Sequence, residues 1–361
     1  MTQITLQKLR KDYRSLVAVN DLTLKVQDKS LVTLLGPSGC GKTTTLKMIA
    51  GLIAPTSGKI YFDDKDVTGL SPQERNIGLV FQDYAIFPTM TAYDNIAFGL
   101  KIRKLPKGEI NKRIIEVADT LHIRDVLDEQ PGKMTQSQMQ SVALARTLVT
   151  NPTVLLLDEP LSNLDAAFRL RMRAELKRLQ KEIKQTVIYV THDQVEALSI
   201  SDKIAVMNFG VLHQYGTPSD IYNHPSTYFV AGFIGSPPMN FIDCTFIDKN
   251  GGYMDIGVKR IDVSKYADLV MNKGAGVEYK IGARPEDVKV LDKATKKSVP
   301  IRVEAYEPLG DEAIVDLSLG ETLIRARTPI SFLASPGETK YIEFDLDKIH
   351  IIDKKTEKVI I

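Results

Sequence analysis

The chain has 361 residues, a length that suggests about two domains, and its 43% hydrophobic and 25% charged residues are typical of a globular protein. Lysines and arginines number 47 against 45 aspartates and glutamates, so the net charge is +2, and residues 236–361 alone carry −2. This balance argues against a nucleic-acid-binding protein, because such proteins usually carry a strong basic field.

The sequence predicts neither a signal peptide nor a membrane span. Its first 12 residues mix charged with apolar side chains and lack the apolar core of a signal peptide. The longest stretch without Asp, Glu, Lys or Arg, Ile221–Ile242, contains three prolines and does not read as a membrane helix. Two cysteines, Cys40 and Cys244, cannot build a disulfide framework and fit a reducing compartment. We expect any role at a membrane to require a partner protein.

Strand-like and helix-like patterns alternate along the first part of the chain. Short apolar segments rich in leucine and β-branched residues predict strands at Ile4–Leu9, Leu22–Val26, Leu31–Leu35, Thr153–Leu157 and Thr186–Val190. Apolar residues at helical spacing predict helices at Thr43–Ala50, Glu109–Leu121 and Ala166–Lys184. The alternation predicts an α/β fold in which helices cover a parallel sheet, with a helical block inserted at about residues 90–150.

The character of the sequence changes at residues 235–238, which read Gly-Ser-Pro-Pro. Beyond them, turns rich in glycine, proline and aspartate separate short alternating segments: Phe241–Ile247, Val299–Ala305, Ala313–Leu317, Thr322–Arg327 and Tyr341–Phe344. Regularly spaced short strands are typical of a small β-barrel, and we expect an OB-like one. The sequence therefore predicts a first domain at 1–235 and a β-rich domain at 236–361.

A glycine-rich turn lies between the third predicted strand and the first predicted helix. It matches the P-loop pattern G-x-x-x-x-G-K-[ST] with Gly36, Pro37, Ser38, Gly39, Cys40, Gly41, Lys42 and Thr43, followed by Thr44. Glycines let successive backbone N–H groups face one anion, and the positive end of the next helix points at the same place. We expect Lys42 to reach the β- and γ-phosphates of a nucleotide and the Thr43 hydroxyl to bind Mg²⁺.

The strand predicted at 153–157 is followed by two acids, Asp158 and Glu159. Alone, this pattern is weak, because a strand often meets its turn at acidic residues. Paired with the P-loop, it predicts that Asp158 holds Mg²⁺ through water and that Glu159 polarises an attacking water. The sequence contains no N-K-x-D motif for reading guanine, which argues against a GTPase.

Further motifs resemble those of one family, the ATPase subunits of ABC transporters. They are the Q-loop at Phe81–Tyr84, the D-loop at Ser162–Asp165, the switch histidine at Thr191–Asp193, and the importer-like stretches Asp193–Ala197, Ala231–Phe241 and Ala283–Asp287. The likeness extends over essentially the whole chain and is greatest to bacterial carbohydrate importers of the maltose and glycerol-phosphate type. It implies a RecA-like core with a helical subdomain, an OB-like (TOBE) regulatory domain, and ATP and Mg²⁺ as cofactors.

The resemblance also implies roles for residues outside the P-loop. Tyr13 matches an aromatic residue that stacks on adenine, with an ordinary core tyrosine as the alternative. Gln82 matches a residue that contacts Mg²⁺ or water and senses the membrane subunit, and His192 matches a switch that contacts the γ-phosphate. Asp165 matches a link across the dimer and also stands where a helix N-cap is expected. The catalytic set is thus Lys42, Gln82, Glu159 and His192, and the Mg²⁺ set is Thr43, Gln82 and Asp158.

The partners of this chain are likewise implied by the resemblance. They are transmembrane permease subunits, a second ATPase subunit and, indirectly, an extracytoplasmic substrate-binding protein, and they place the chain at the cytoplasmic face of the cell membrane. The β-rich tail is expected to add dimer contacts, to bind an inhibitory protein, or simply to pack and stabilise the dimer.

One motif departs from the family pattern. The signature Leu-Ser-Gly-Gly-Gln aligns with Met134, Thr135, Gln136, Ser137 and Gln138, so the hydroxyl and the final glutamine are kept and both glycines are lost. In the family, two subunits meet head to tail, and each ATP lies between one P-loop and the other subunit's signature. Glycines there permit close approach of helix N–H groups to the γ-phosphate, and each missing hydrogen bond to that charged group would cost about 1.5–3 kcal/mol.

Two hypotheses follow from this departure. In the first, which we favour, the chain works beside a different ATPase subunit that has an intact signature, and its own catalytic residues serve the one competent site. In the second, it forms a homodimer that hydrolyses ATP slowly. Two further classes compete with both: a non-hydrolysing regulatory or assembly subunit, and an ABC ATPase acting on DNA or ribosomes, which the near-neutral charge disfavours.

Overall fold

The computed structural model describes residues 2–162, 164–247, 252–271 and 278–361. Contacts between residues divide the chain into two units, Met1–Pro218 and Ser219–Ile361. The structure places the boundary after Pro218, earlier in the chain than the boundary expected after Gly235, so residues 219–235 group with the second unit. The division into two functional domains stays a prediction.

The first unit alternates strands with helices. Its strands are β1 (Ile4–Tyr13), β2 (Leu16–Val26), β3 (Leu31–Leu35), β4 (Ser57–Phe62), β5 (Lys65–Asp66), β6 (Ile77–Val80), β7 (Val154–Asp158), β8 (Thr186–Thr191), β9 (Lys203–Asn208) and β10 (Val211–Gly216). Its helices are α1 (Lys42–Ala50), α2 (Ala92–Ile102), α3 (Lys107–Thr120), α4 (Gln136–Leu148), α5 (Ala166–Ile183) and α6 (Gln194–Ile200). Within the described ranges, no helix is both long and apolar enough to cross a membrane.

The central sheet brings three chain segments to one edge. Its order is β10-β9-β3-β8-β7-β6, with β10 antiparallel to β9 and the other neighbours parallel. The strand β3 leads into the P-loop, β7 ends at Asp158, and β8 ends at Thr191, one residue before His192. Because the carboxyl ends of parallel strands share an edge, these three segments meet at one edge of the sheet, at the switch of strand order where α/β proteins bind ligands.

Both faces of the central sheet are buried, which explains why its strands are nearly continuous apolar runs. In β7, Leu155 and Leu157 belong to a hydrophobic core shared with the helical block α2–α4. Val154 and Leu156 belong to a second core, shared with α1 and with the antiparallel sheet β2-β1-β4-β5. The alternation follows from the two-residue repeat of a strand. The predicted α/β architecture with an inserted helical block is confirmed.

The second unit is mostly antiparallel β-structure. Its helices are α7 (Pro218–Asn223), which begins at the unit boundary, α8 (Tyr228–Phe233) and α9 (Ala267–Met271). Its strands are β11 (Asn240–Ile247), β12 (Tyr253–Asp255), β13 (Arg260–Asp262), β14 (Glu278–Ala283), β15 (Val288–Leu291), β16 (Val299–Pro308), β17 (Glu312–Leu319), β18 (Thr322–Pro329), β19 (Thr339–Phe344) and β20 (His350–Asp353). They form two five-stranded sheets, ordered β13-β12-β11-β14-β20 and β15-β19-β16-β17-β18. The predicted β-rich tail is confirmed.

Candidate active site

The P-loop connects β3 to α1 and presents the start of that helix without a side-chain cap. Gly41, the N-cap of α1, has a φ of 102° and makes no side-chain cap hydrogen bond. A β-carbon at Gly41 would lie 2.3 Å from the carbonyl oxygen of Ala18, and one at Gly36 would lie 2.1 Å from that of Met207. Packing of the loop therefore requires glycine at both positions. The other residues predicted to bind nucleotide follow the same turn into α1: Pro37, Ser38, Gly39, Cys40 and Thr44.

The ammonium group of Lys42 is held over this loop. Lys42 is 5% exposed, and its Nζ donates to the carbonyl oxygens of Gly36 at 2.8 Å and Pro37 at 2.9 Å. A phosphate oxygen carries more negative charge than a carbonyl oxygen and accepts a stronger bond from the same donor. Burial raises the pKa of the neighbouring Cys40 thiol, which disfavours the thiolate that oxidants attack.

Thr43 and Asp158 meet where a metal ion is expected. The Thr43 hydroxyl donates to Asp158 Oδ1 at 3.0 Å, which joins α1 to the end of β7. Burial raises the pKa of Asp158 above its ordinary value, and the bond from Thr43 opposes that shift. Hydroxyl and carboxylate oxygens are donors that suit Mg²⁺, which also takes oxygens from phosphates. In the described part of the chain, no group of three or more His, Cys, Asp or Glu residues is arranged to hold a metal alone. The donor set therefore fits a Mg²⁺ ion that shares its ligands with a nucleotide.

Glu159 and His192 are in direct contact. His192 Nδ1 lies 3.0 Å from Glu159 Oε2, and the side chains are 54% and 19% exposed respectively. Glu159 has a φ of 47°, an uncommon left-handed conformation for a residue with a side chain, and its N–H donates to the carbonyl oxygen of Val190 at 2.9 Å. Such strained residues cluster at functional sites. The sequence named both residues but did not predict their contact.

Tyr13 and Gln82 lie on exposed loops or strand ends. Tyr13 ends β1 and is 45% exposed, which excludes the alternative of a core tyrosine, and Lys11 Nζ lies 5.1 Å from its ring centre. Gln82 is exposed in the loop that follows β6. Stacking on adenine and sensing of a membrane subunit stay predictions for these two residues.

The segment aligned with the family signature forms the capped start of α4. Thr135 is the N-cap, and its Oγ1 accepts from the N–H of Gln138 at 3.3 Å. Gln138 Oε1 in turn accepts from the N–H of Thr135 at 2.9 Å, which completes a capping box. The hydroxyls of Thr135 and Ser137 are 2.7 Å apart, and Gln136 is exposed. The side chains of Thr135, Ser137 and Gln138 therefore hydrogen-bond with one another or with the backbone at the start of α4.

The D-loop precedes α5 and ends in its N-cap. Asp165 Oδ1 accepts from the N–H of Phe168 at 2.9 Å, so the expected capping role is confirmed. A link across a dimer remains compatible with this role and stays a prediction. Asn163, also in this motif, lies outside the described residues.

Two buried polar residues near the site were not predicted from the sequence. Glu196 in α6 is 2% exposed and accepts from the hydroxyls of Tyr189 at 2.9 Å and Thr191 at 2.7 Å. Gln140 in α4 is fully buried and donates from Nε2 to the carbonyl oxygen of Pro160. The partners of Glu196 lie on the preceding strand β8 and the partner of Gln140 lies 20 residues away, so only a charged or amide residue on an apolar helix face would have signalled either one.

A strand, a glycine-rich turn and a helix that opens with lysine and threonine define the class of P-loop nucleotide triphosphatases. A family model described as ABC transporter matches residues 19–162, and one described as MalK OB fold domain matches residues 235–288. The trehalose/maltose import ATP-binding protein MalK of Thermococcus litoralis is 45% identical over all of both chains. The oligosaccharides import ATP-binding protein MsmX of Bacillus subtilis is 40% identical over 99% of each. The chain belongs to the ATP-binding proteins of ABC transporters and is an ATPase of that family.

Solved structures give the same fold for about 60% of the chain. The cbiO1 protein of Clostridium perfringens, described as part of the ABC transporter complex cbiONQ, has a TM-score of 0.57 and 30% identity over 60% of this chain and 89% of that one. The ATP-binding cassette MJ0796, described as a dimer in a post-hydrolysis state bound to ADP and Pi, has a TM-score of 0.54 and 28% identity over 60% and 98%. The resemblance inferred from motifs is thus confirmed.

Proposed function

We propose that this chain is the ATP-binding and hydrolysing subunit that powers an importer for a sugar or a related polyol or phosphate compound. The observation that carries the proposal is full-length similarity to relatives named as import ATP-binding proteins for trehalose and maltose and for oligosaccharides. The match of residues 235–288 to the OB fold domain extends this likeness beyond the ATPase core. We assign residues 1–235 to nucleotide binding and 236–361 to regulation or dimer contacts.

The proposed hydrolysis uses the two side-chain contacts at the carboxyl edge of the sheet. Mg²⁺ bound beside Thr43 and Asp158 would neutralise charge on the β- and γ-phosphates. Lys42 exchanges its carbonyl acceptors for phosphate oxygens and so binds the nucleotide where charge develops. Glu159 polarises the attacking water, and His192 holds the Glu159 carboxylate in place through Nδ1 at 3.0 Å. Gln82 is proposed to contact Mg²⁺ or the water.

We further propose that the competent ATP site forms between this chain and a different ATPase subunit. The capping box joins the side chains of Thr135 and Gln138 to the start of α4, and Gln136 adds an exposed side chain where the family has glycine. Both features keep helix N–H groups away from a phosphate brought by a partner. The chain retains the catalytic residues beside its own P-loop, and Glu159 and His192 are in contact there. This favours a dimer with one working ATP site, at this P-loop, over a dimer with none.

The place of the chain in the cell follows from the same proposal. It docks on transmembrane permease subunits at the cytoplasmic face of the cell membrane and serves an extracytoplasmic substrate-binding protein indirectly. The names of the importer relatives support the permease partners, and the dimer described for MJ0796 supports a second ATPase subunit. No nucleic-acid partner is proposed, because the net charge is only +2.

A non-hydrolysing regulatory or assembly subunit is the second candidate. The self-capped signature favours it, because two such signatures in a homodimer would weaken both ATP sites. Under this alternative, ATP binding persists while turnover is lost even in the complete membrane complex. A homodimer that hydrolyses ATP slowly would have an activity between those of the mixed dimer and the non-hydrolysing subunit.

Purification of the chain with its membrane complex tests these proposals. We expect permease subunits and a second ATPase subunit to co-purify, and we expect ATP turnover that Glu159→Gln in this chain abolishes. Glu116→Gln, an exposed carboxylate on α3, is the matched control and should leave turnover unchanged. Robust turnover by the chain alone would contradict the mixed dimer, and absent turnover in the full complex would support the second candidate.

A further inference from the structure

We infer that Arg169 is a positioning residue for ATP hydrolysis, because it couples the loop that carries Glu159 to the segment that carries His192. The inference rests on the proposed roles of Glu159 and His192, and it adds a residue that the motif pattern does not name. Arg169 lies one turn into α5, immediately after the D-loop, and its side chain is 29% exposed.

One end of the Arg169 guanidinium group binds the loop between β7 and α5. Nη2 donates to the carbonyl oxygen of Leu164 at 3.0 Å and to that of Ser162 at 3.3 Å. The same loop begins with Glu159, whose carbonyl oxygen accepts from the Ser162 hydroxyl at 3.0 Å. Arg169 therefore holds the backbone that follows the proposed base.

The other end faces the residue that directly follows His192. Nη1 of Arg169 lies 3.6 Å from Asp193 Oδ2. The second oxygen of that carboxylate, Oδ1, caps α6 by accepting from the N–H groups of Val195 at 2.8 Å and Glu196 at 3.1 Å. Asp193 is thus fixed to its own helix by one oxygen and faces Arg169 with the other.

A buried carboxylate completes the arrangement. Arg169 Nε lies 3.9 Å from Glu196 Oε1, and within the described ranges this nitrogen is buried without a hydrogen-bond partner. Glu196 Oε2 accepts from the hydroxyls of Tyr189 and Thr191, which lie two residues apart at the end of strand β8, just before His192. One guanidinium group therefore contacts two carbonyls from the loop of Glu159 and faces two carboxylates from the segment of His192.

In addition to the backbone pairing of β7 with β8, side chains bridge the two segments at the reacting edge and again behind it. The front bridge is the 3.0 Å contact between Glu159 and His192, which is exposed and has a single hydrogen bond. The rear bridge is Arg169, whose planar fork has several donors in fixed directions. Strand pairing and the bond from the Glu159 N–H to Val190 fix the two backbones, but without the rear bridge the front contact is left to hold the Glu159 and His192 side chains in place. A misplacement of about 1 Å at such a site costs about 100-fold in rate.

The test compares variants in the purified membrane complex by steady-state ATP turnover and ATP binding. For Arg169→Ala we expect kcat to fall by about 10- to 100-fold with KM for ATP changed by less than about twofold, since the contacts of this residue are with the loop of Glu159 and with Asp193 and Glu196 rather than with the P-loop. Arg169→Lys keeps the charge but not the fork, and it should recover part of kcat. Arg171→Ala, two residues along the same helix and exposed, should match the unmodified complex.

A double-mutant cycle with Asp193→Asn tests the route of coupling. Asparagine keeps the cap of α6 but removes the charge that faces Arg169. If Arg169 acts through Asp193, the double variant should be no slower than Arg169→Ala alone, whereas multiplied losses would overturn the inference. An Arg169→Ala kcat equal to that of Arg171→Ala would overturn it as well. Should Arg169→Ala fail to fold, Arg169→Lys and Asp193→Asn form the cycle.

Glu159→Gln separates failure of this inference from failure of the proposed function. If Glu159→Gln leaves turnover intact, the assignment of the base is wrong and Arg169 has no base to position. If Glu159→Gln abolishes turnover while Arg169→Ala leaves kcat unchanged, hydrolysis proceeds as proposed and only the positioning role is wrong.

Discussion

Replacing Gln136 and Ser137 by glycine restores the glycine pair of the family signature at the start of α4 and tests what its loss does. Two effects of opposite sign are expected. The helix loses stability, because glycine is a poor helix former and because Ser137 loses its contact with the Thr135 hydroxyl at 2.7 Å. The kcat/KM for ATP of a homodimer increases, because helix N–H groups approach the phosphate without intervening β-carbons.

The size of each effect follows from the contacts. The lost hydroxyl contact is worth about 0.5–1.5 kcal/mol, and glycine costs up to about 1 kcal/mol per position, less at an exposed first turn. A net loss of about 1–2 kcal/mol would lower Tm by about 2–8 °C for a unit of this size. One restored hydrogen bond to a charged phosphate is worth about 1.5–3 kcal/mol, which corresponds to at least about a tenfold gain in kcat/KM for the homodimer.

The assay is ATP turnover by the chain alone, with thermal unfolding of the same samples. The control is alanine at both positions, which removes the polar groups but keeps the β-carbons and should give no gain. A lower Tm with unchanged turnover would refute the idea that lost glycines limit the homodimer. An equal gain with alanine would shift the cause from backbone approach to the longer side chains.

Three further predictions concern the scaffold of the site. Arg75 donates to four carbonyl oxygens, two of them from the last turn of α1, so Arg75→Met should destabilise the fold by about 3 kcal/mol or more in urea unfolding. Gly41→Ala should lower Tm more than Gly39→Ala, because both positions have positive φ but only Gly41 lacks room for a β-carbon. Burial raises the pKa of Glu196 above its ordinary value of 4.5, so the folded state keeps a proton that the unfolded chain has released, and stability falls as pH rises from about that value through the folded pKa. Glu196→Gln should remove this slope, which urea unfolding at a series of pH values measures.

The parallel core could be predicted from the sequence because its signals are local. Strands β3, β7 and β8 are buried on both faces, so each is an apolar run whose ends match the prediction to within one residue. Strands β1 and β2 extend well beyond their apolar segments, since their register depends on pairing with each other and with β4. Helices α7 and α8 fall in a stretch with no clear helical period, and contacts with the second unit decide where they belong.

In the site too, the residues that could be predicted are those in a local motif, and the contacts that depend on the fold could not be predicted. The P-loop is a contiguous motif, so Lys42 and Thr43 follow from spacing alone. The contact of Glu159 with His192 spans 33 positions and depends on β7 and β8 being neighbours, which no local pattern encodes. Arg169 stands on a helix that is predicted only from the spacing of its apolar residues, and only the fold turns its guanidinium group toward two loops.

Helix α4 gives a physical reason to retain a helix whose first turn has lost the phosphate-binding glycines. Inside this helix, Gln140 donates to the carbonyl oxygen of Pro160, which directly follows Glu159. At its last turn, Arg146 donates to the carbonyl oxygens of Tyr84 at 3.0 Å and Ala85 at 2.6 Å, in the loop that carries the expected sensor of the membrane subunit. The helix therefore still connects the loop of the proposed base to the Q-loop, although its exposed start no longer matches the signature. These contacts do not depend on phosphate binding at the start of α4, so they are compatible with the proposed subunit that works beside a partner with an intact signature.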